Sequence, residues 1–571
     1  MSAEAADPKP KPSALAALAV FAERRSLVML ALGFASGLPF LLIFDTLSAW
    51  LRDAGLSLDV IAVFSLATLA YSAKFLWAPL VDRVRIPGLT RWLGHRRSWM
   101  LACQALCMLG LWLVAGSDPK TGLAVMALFA VLVGFAGATQ DIVIDAWRIE
   151  AAAVEKQGAM AAAYQWGYRV AFIAAGAIPL VLAEQYSWHF AYATMAAMML
   201  IGAAGVLGAP REAAHQVRPI HAEGLPSRPG LEIPEWIARL ALFGVGAVVL
   251  GCGLAGDASL LSAALAGLGQ GPAGEALKAA WTAKPWGVFY QLGGFLVGLA
   301  IIVVAALPAP GLRTRPGVYL SAALGDPLRD FFARYGRIAG LILALICVYR
   351  LTDFVLNIMN PFYLDLGFSK VEIAEVRKVF GVVSTMGGVF LGGFAVARFG
   401  LMRALVIGAF LAPVSHLAFA WLAVQGPQLN ALFVAIGIEN AASGFAGTCL
   451  IAYMSSLTRV GFTATQYALF SSLYSLPGKL LASQSGRIVE ASAKSADSGG
   501  VFSGLKGMFA GVPPQAYAHA LEKSQVSPQA LGAGYVVFFL YSAAIGCLAI
   551  VLVLIVAAKQ PPAAGAGEAA A

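Results

Sequence analysis

About fourteen apolar runs, each near the twenty residues a helix needs to cross roughly 30 Å of hydrocarbon, punctuate this 571-residue chain. They lie at 27 to 50, 57 to 80, 98 to 116, 121 to 147, 159 to 184, 187 to 209, 237 to 256, 286 to 307, 336 to 358, 370 to 397, 402 to 423, 429 to 457, 463 to 489 and 533 to 558. Hydrocarbon offers no water to a bare peptide group, so runs of this kind must be helices. The chain is 60% hydrophobic and 12% charged, about half the charged share of a soluble domain. The expected fold class is therefore an all-α polytopic membrane protein.

A net charge of +9 does not imply nucleic acid, because the lysines and arginines concentrate in alternate connections, as the positive-inside rule requires. Arg83, Arg85, Arg91, Arg96 and Arg97 crowd one connection; Arg313, Arg315, Arg329, Arg334 and Arg337 crowd another. Both are expected to be cytoplasmic, and the helix count then places both termini inside. The apolar run after Arg24 and Arg25 is of full spanning length, unlike a cleavable signal. The six cysteines sit in or beside the apolar runs with no pairing or metal-ligand pattern.

The stretch DAGLSLDVIA at 53 to 62 returns as DLGFSKVEIA at 365 to 374, with five of ten positions identical. Each copy joins the first and second helices of a six-helix half. Two such halves, with a "D-R…G-x-R-R" pattern made by Asp82, Arg83, Arg96 and Arg97, resemble the plan of the major facilitator superfamily, whose site lies between the halves near the midplane. The runs at 237 to 256 and 286 to 307 match neither half and read as an inserted hairpin. The expected division is a cytoplasmic tail over 1–26, a first bundle over 27–209, linkers with the extra pair over 210–335, a second bundle over 336–558 with a periplasmic loop over 491–531, and a disordered cytoplasmic tail over 559–571.

Charge inside a membrane costs roughly 2.5 to 3.5 kcal/mol per residue on insertion scales, so it is placed where protein or water solvates it. The runs at 98 to 116, 187 to 209, 402 to 423 and 533 to 558, and the inserted pair, read as essentially free of it. The others carry Asp45, Lys74, Asp141, Asp145, Arg169, Arg350, Asp353, Arg377, Lys378, Glu439 and Lys479. At about 1.5 Å per residue, Arg169, Lys378 and Glu439 fall roughly 13 to 15 Å into their runs, near the bilayer centre, where they are candidates for a substrate or proton site. Asp141, Asp145 and Arg148 share one helix face at i, i+4 and i+7. They fall about 27 Å or more from Leu123, where a cytoplasmic gate or proton exit is expected. Structural ion pairing and interfacial snorkelling are the plainer readings. Tyr164, Trp166 and Tyr168 flank Gln165 and Arg169, and offer either stacking faces for sugars or ordinary packing.

Nothing in the chain reads as a phosphate-binding loop; PGKL at 477 to 480 lacks the spaced glycine and the hydroxyl residue. No zinc, haem or nucleophile signature is present either, so neither an ATP-driven pump nor an enzyme is expected. Titratable acids then point to a proton gradient as the energy source, with no cofactor.

Nine stretches together resemble one family, the AmpG muropeptide permeases of the major facilitator superfamily. They are GFASGLPF at 33 to 40, KFLWAPLVDR at 74 to 83, GHRRSW at 94 to 99, TQDIVIDAWR at 139 to 148, GYRVA at 167 to 171, PLRDFF at 327 to 332, YRLTDF at 349 to 354, IENAASG at 438 to 444 and FTATQYALFSSL at 462 to 473. The resemblance implies import of N-acetylglucosaminyl-1,6-anhydro-N-acetylmuramyl peptides across the bacterial inner membrane by proton symport. That activity serves peptidoglycan recycling and, indirectly, β-lactamase induction. Arg169, Lys378 and Lys479 would anchor the substrate, with Gln140, Tyr164, Gln165, Trp166, Asn440 and Gln466 beside them. Asp45, Asp141, Asp145, Asp353 and Glu439 would couple protons or gate; Lys74, Asp82, Arg83, Arg96, Arg97 and Arg148 would form the cytoplasmic motif. The substrate and the bilayer are the expected partners, and the chain is expected to be a monomer. The alternatives are an acetyl-CoA or other organic-anion or peptide transporter of the same superfamily, and a membrane sensor that binds muropeptide without moving it. Uptake into vesicles is expected to collapse when the pH gradient is dissipated; uptake that survives would remove the proton from the scheme.

Overall fold

In the computed structural model, residues 19–55, 71, 74–211, 225, 228–255, 258–283, 286–307, 314–482 and 485–560 are described. Among them, twelve helices are long and apolar enough to span a membrane. Most of the expected run at 57 to 80, much of the repeat copy at 53 to 62, and the ends of both tails lie outside the described residues.

The first half comprises α1 (Arg24–Asp53), the short α2 (Ala78–Arg83), α3 (His95–Ala115), α4 (Leu123–Ala151), α5 (Val154–Gln185) and α6 (Trp188–Gly208). The hairpin α7 (Pro229–Ala255) and α8 (Gly287–Ala306) follows, then the amphipathic α9 (Arg315–Tyr335). The second half opens with α10 (Ala339–Tyr349), which breaks at Arg350 into a 3-10 stretch, Leu351–Asn357, and resumes as α11 (Met359–Leu366). After a π turn at Val376–Phe380 come α12 (Gly381–Phe399), α13 (Leu401–Ala423), α14 (Leu429–Ser456), α15 (Thr463–Ala482), α16 (Ser485–Asp497) and α17 (Pro528–Lys559). A second π turn, Leu42–Thr46, interrupts α1 and carries Asp45. Widened turns of this kind recur at functional sites.

Small residues decide which helices touch, because lipid supplies no hydrophobic drive between them and close backbone approach must serve instead. A Cβ at Gly33 or Gly167 would strike the backbone of Tyr164 or Leu30, which locks α1 to α5. Gly388 and Gly444 do the same for α12 and α14. Across the halves, Gly158 of α5 meets Val396 of α12, and Gly393 returns the contact. One apolar cluster also crosses the boundary, joining Trp147 and Met160 of the first half to Ala464 and Ala468 of α15.

Two expectations change. Arg239 lies inside the run at 237 to 256, which had read as essentially free of charge. It is nevertheless solvated: it pairs with Glu235 at 2.7 Å and donates to the carbonyls of Ala305 and Leu307, which end α8. A guanidinium there satisfies carbonyls that no helical turn can reach. The polar stretch at 491 to 531 is also no open loop. Phe509 and Tyr517 are buried in the core of the second half, Tyr517 donates its amide to the Asp365 carbonyl at 2.6 Å, and its hydroxyl reaches the Ala423 carbonyl at 2.9 Å. Its apolar side chains are too sparse in sequence to show a period, so only the contacts reveal the cap.

Gly33→Val is expected to destabilise the protein by about 1 to 3 kcal/mol through overpacking between α1 and α5. Gly325→Val, where nothing stands near the added atoms, should leave the thermal unfolding midpoint nearly unchanged; equal midpoints would contradict the packing assignment.

Candidate functional site

The stripe on α4 does not act as one unit. Asp141 accepts a hydrogen bond from the Ser36 hydroxyl of α1, which also contacts the Tyr164 hydroxyl of α5 at 2.6 Å. Lys74 lies within electrostatic reach of the same carboxylate. One turn on, Asp145 pairs with Arg148 at 3.2 Å. Arg148 is fully buried and crosses the boundary between the halves, donating to Ser455 at 2.9 Å and lying 5.2 Å over the Tyr467 ring. Because α4 runs on to Ala151, Asp141 sits about 15 Å inside its end.

At the end of α2, Asp82 joins two networks. It binds Arg96 at 2.7 Å, and Arg96 binds Glu150 of α4 at the same distance. Asp82 also accepts from the backbone amides of Ala464 and Thr465, at 3.2 and 2.9 Å, and from the Thr465 hydroxyl at 2.7 Å. Those amides open α15, where unpaired N–H groups and the helix dipole favour an anion. Arg96 is wholly buried, which the two carboxylates make tolerable. The arginine-rich end of the molecule is thus shut by charge that bridges the halves.

A second tier lies further in. At the break after α10, Arg350 donates to Asp353 at 2.6 Å and to Ser443 of α14 at 3.0 Å. Gly447 makes room, since a Cβ there would press on the guanidinium. Arg169 of α5 approaches from the other half, within electrostatic reach of Arg350 and Glu439. Glu439 is buried and lies within electrostatic reach of Asp353, Arg350, Arg377 and Arg169, yet no hydrogen bond to it is formed among the described residues. Beside this cluster, Gln165 donates to Thr448 at 2.7 Å and Trp166 to the Met386 carbonyl at 2.9 Å, both across the halves.

Other candidates are engaged elsewhere. Gln466 binds the Pro327 carbonyl at 2.9 Å and the Arg459 amide, fastening α15 to α9. Asn440 accepts from Thr385 at 2.8 Å, between α12 and α14. Arg97 holds the Val206 and Leu207 carbonyls that end α6. Gln140 is buried, and its amide has no hydrogen-bond partner among the described residues. Arg83 is half-buried at the end of α2, and Asp45 is exposed on the π turn of α1. The side chains of Lys378 and Lys479 lie outside the described residues. Thr448 and Ser455 carry no charge and stand in none of the quoted stretches, and Glu150 falls just past the TQDIVIDAWR stretch; Ser36 stands in GFASGLPF, and Thr465 and Tyr467 in FTATQYALFSSL.

A family model described as Acetyl-coenzyme A transporter 1 matches residues 26–118. The anhydromuropeptide permease of Escherichia coli (strain K12) is 30% identical over 477 residues, covering 83% of this chain and 76% of the relative. A relative in Rickettsia conorii that carries the name AmpG 4 is 28% identical over 474 residues, covering 82% and 91%. Among solved structures, the proton:xylose symporter XylE has a TM-score of 0.49 at 11% identity, over 95% of this chain and 96% of that one.

Asp82→Asn is expected to loosen the closed end, since charge-assisted hydrogen bonds contribute about 1.5 to 3 kcal/mol. In a background without the native cysteines, alkylation of Ala468→Cys should quicken by roughly tenfold or more. An unchanged rate would mean that Asp82 does not hold the halves together.

Proposed function

This chain belongs to the AmpG family of anhydromuropeptide permeases, and we propose that it carries N-acetylglucosaminyl-1,6-anhydro-N-acetylmuramyl peptides from periplasm to cytoplasm by alternating access. The observation that carries the reading is that Arg169 of the first half lies within electrostatic reach of Arg350 and Glu439 of the second, where Arg350 pairs with Asp353. A disaccharide peptide presents carboxylates that guanidinium forks bind well. Arg169 and Arg350, together with Lys378 and Lys479, take these groups. The ring faces of Tyr164, Trp166 and Tyr168 take the sugars.

The arginine-rich end is the cytoplasmic one by the positive-inside rule, and both termini lie on that side of the inner membrane. The bridges of Asp82, Arg96 and Arg148 close this end, so the substrate enters from the other. Glu439 carries the coupled proton: it is buried and lacks a fixed hydrogen-bond donor among the described residues, so protonation can change its attraction for Arg169 and Arg350. Asp141 and Asp145 pass the change to the gate through Ser36 and Arg148. The protein is neither an enzyme nor dependent on a cofactor, and it works as a monomer.

The match of residues 26–118 to the acetyl-CoA transporter model favours one other reading, a nucleotide thioester as cargo. Uptake of labelled anhydromuropeptide into proteoliposomes separates the two: unlabelled disaccharide peptide should compete and acetyl-CoA should not. Binding without accumulation would make the protein a receptor. Arg169→Ala is expected to weaken substrate binding by about 10- to 100-fold, the equivalent of one charge-assisted contact. Unaltered affinity with lowered expression would assign Arg169 to structure alone.

A further inference from the structure

Away from the path between the halves, a cavity of about 470 Å³ opens on the flank of the molecule. Trp77, Leu80 and Phe135 wall it on the first half, Leu240 and Phe243 on the hairpin, and Leu324 on α9. Its lining is almost wholly apolar. The hairpin touches α9 and α15, and the crevice separates it from α2 and α4. In hydrocarbon such a space must be filled, because its lining otherwise has no contact partners on one side. Water does not serve, since the walls offer it no polar groups.

The crevice also has a polar end. Trp236 and Tyr319 border it, their rings 6.0 Å apart, and such aromatic pairs mark the head-group level of a bilayer. Both walls that reach this level run on to exposed arginines. Arg85 follows Leu80 by five residues, and Arg329 follows Leu324 by five; the Arg329 side chain is 77% exposed and 3.7 Å from the Asp326 carboxylate, a surface pair that water keeps weak and a phosphate can displace. An apolar slot beneath two cations fits an amphiphile with an anionic head.

We propose that the crevice between the inserted hairpin and the first half is a binding site for one anionic glycerophospholipid, with an acyl chain against Leu240, Phe243 and Phe135 and its phosphate toward Arg85 and Arg329. The hairpin is then held to the transporter in part through a lipid. Gly244 lies on the crevice wall, and a Cβ there meets nothing within 4 Å, so a side chain placed there starts into the slot without striking the fold at its first carbon.

The test is native mass spectrometry of the full chain, released from mild detergent containing equal phosphatidylglycerol and phosphatidylethanolamine. One phosphatidylglycerol should stay with each chain in preference to phosphatidylethanolamine. Gly244→Trp should retain about tenfold less lipid, as expected when the side chain takes over the buried apolar contact. Arg85→Ala combined with Arg329→Ala should abolish the preference for phosphatidylglycerol. Leu296→Trp, on the exposed face of α8 outside the crevice, is the control and should retain lipid as the parent does. Should Gly244→Trp fail to fold, Gly244→Leu gives the same reading with a smaller loss. Equal retention in the filled variant, equal binding of the two lipids by the parent, or a lipid-free dimer that assigns the crevice to a second copy would each overturn the proposal.

Discussion

The cost of an ionised side chain in hydrocarbon, roughly 2.5 to 3.5 kcal/mol at a helix centre, governs where every charge in this protein is found. Several of the described charges within the spans are placed on one another. Arg96 is tolerated because two carboxylates hold it, and Arg148 because Asp145, Ser455 and the Tyr467 ring surround it. Arg350 leans on Asp353 and Ser443. Most of these partners come from other helices, and Ser455 and Tyr467 reach Arg148 from the other half, so solvating a charge and joining the bundles can be one physical act. A transporter of the major facilitator type needs such joins to be breakable.

The two tiers differ in how breakable they are. Near the arginine-rich end, Asp82 is saturated by Arg96, two amides and a hydroxyl, an arrangement that favours a closed state. Further in, Glu439 lies within electrostatic reach of Asp353 and of three guanidiniums without a fixed bond among the described residues, which leaves its attraction free to vary with protonation or with a bound anion. Asp141 and Asp145 stand between the tiers on one helix. The hydrogen bonds from Gln165 and Trp166 to the opposite half mark the depth at which the halves part company.

Much of the fold was legible in the sequence because bilayer thickness sets segment length. The runs at 98 to 116 and 402 to 423 agree with His95–Ala115 and Leu401–Ala423, and the inserted pair with Pro229–Ala255 and Gly287–Ala306. The charges themselves were visible, but their pairings were not, since Thr465 meets Asp82 across 383 residues. No local pattern encodes such a contact. The break at Arg350 and the π turns were hidden because they keep the apolar composition of a helix while changing its hydrogen bonds. Arg239 was discounted because one residue does not disturb a hydropathy average, although one residue suffices to cap a helix end. Gln466 looked like a ligand residue and is a joint between α15 and α9, a distinction that only its partners reveal.

The account rests on the region of Arg169 and Arg350 receiving the cargo. Electron cryomicroscopy of the protein with a bound N-acetylglucosaminyl-1,6-anhydro-N-acetylmuramyl peptide tests this most directly. The predicted map shows a peptide carboxylate within hydrogen-bond distance of both guanidiniums and the sugar rings against Tyr164, Trp166 or Tyr168. Ligand density elsewhere, or Arg169 turned outward into lipid, would contradict the account.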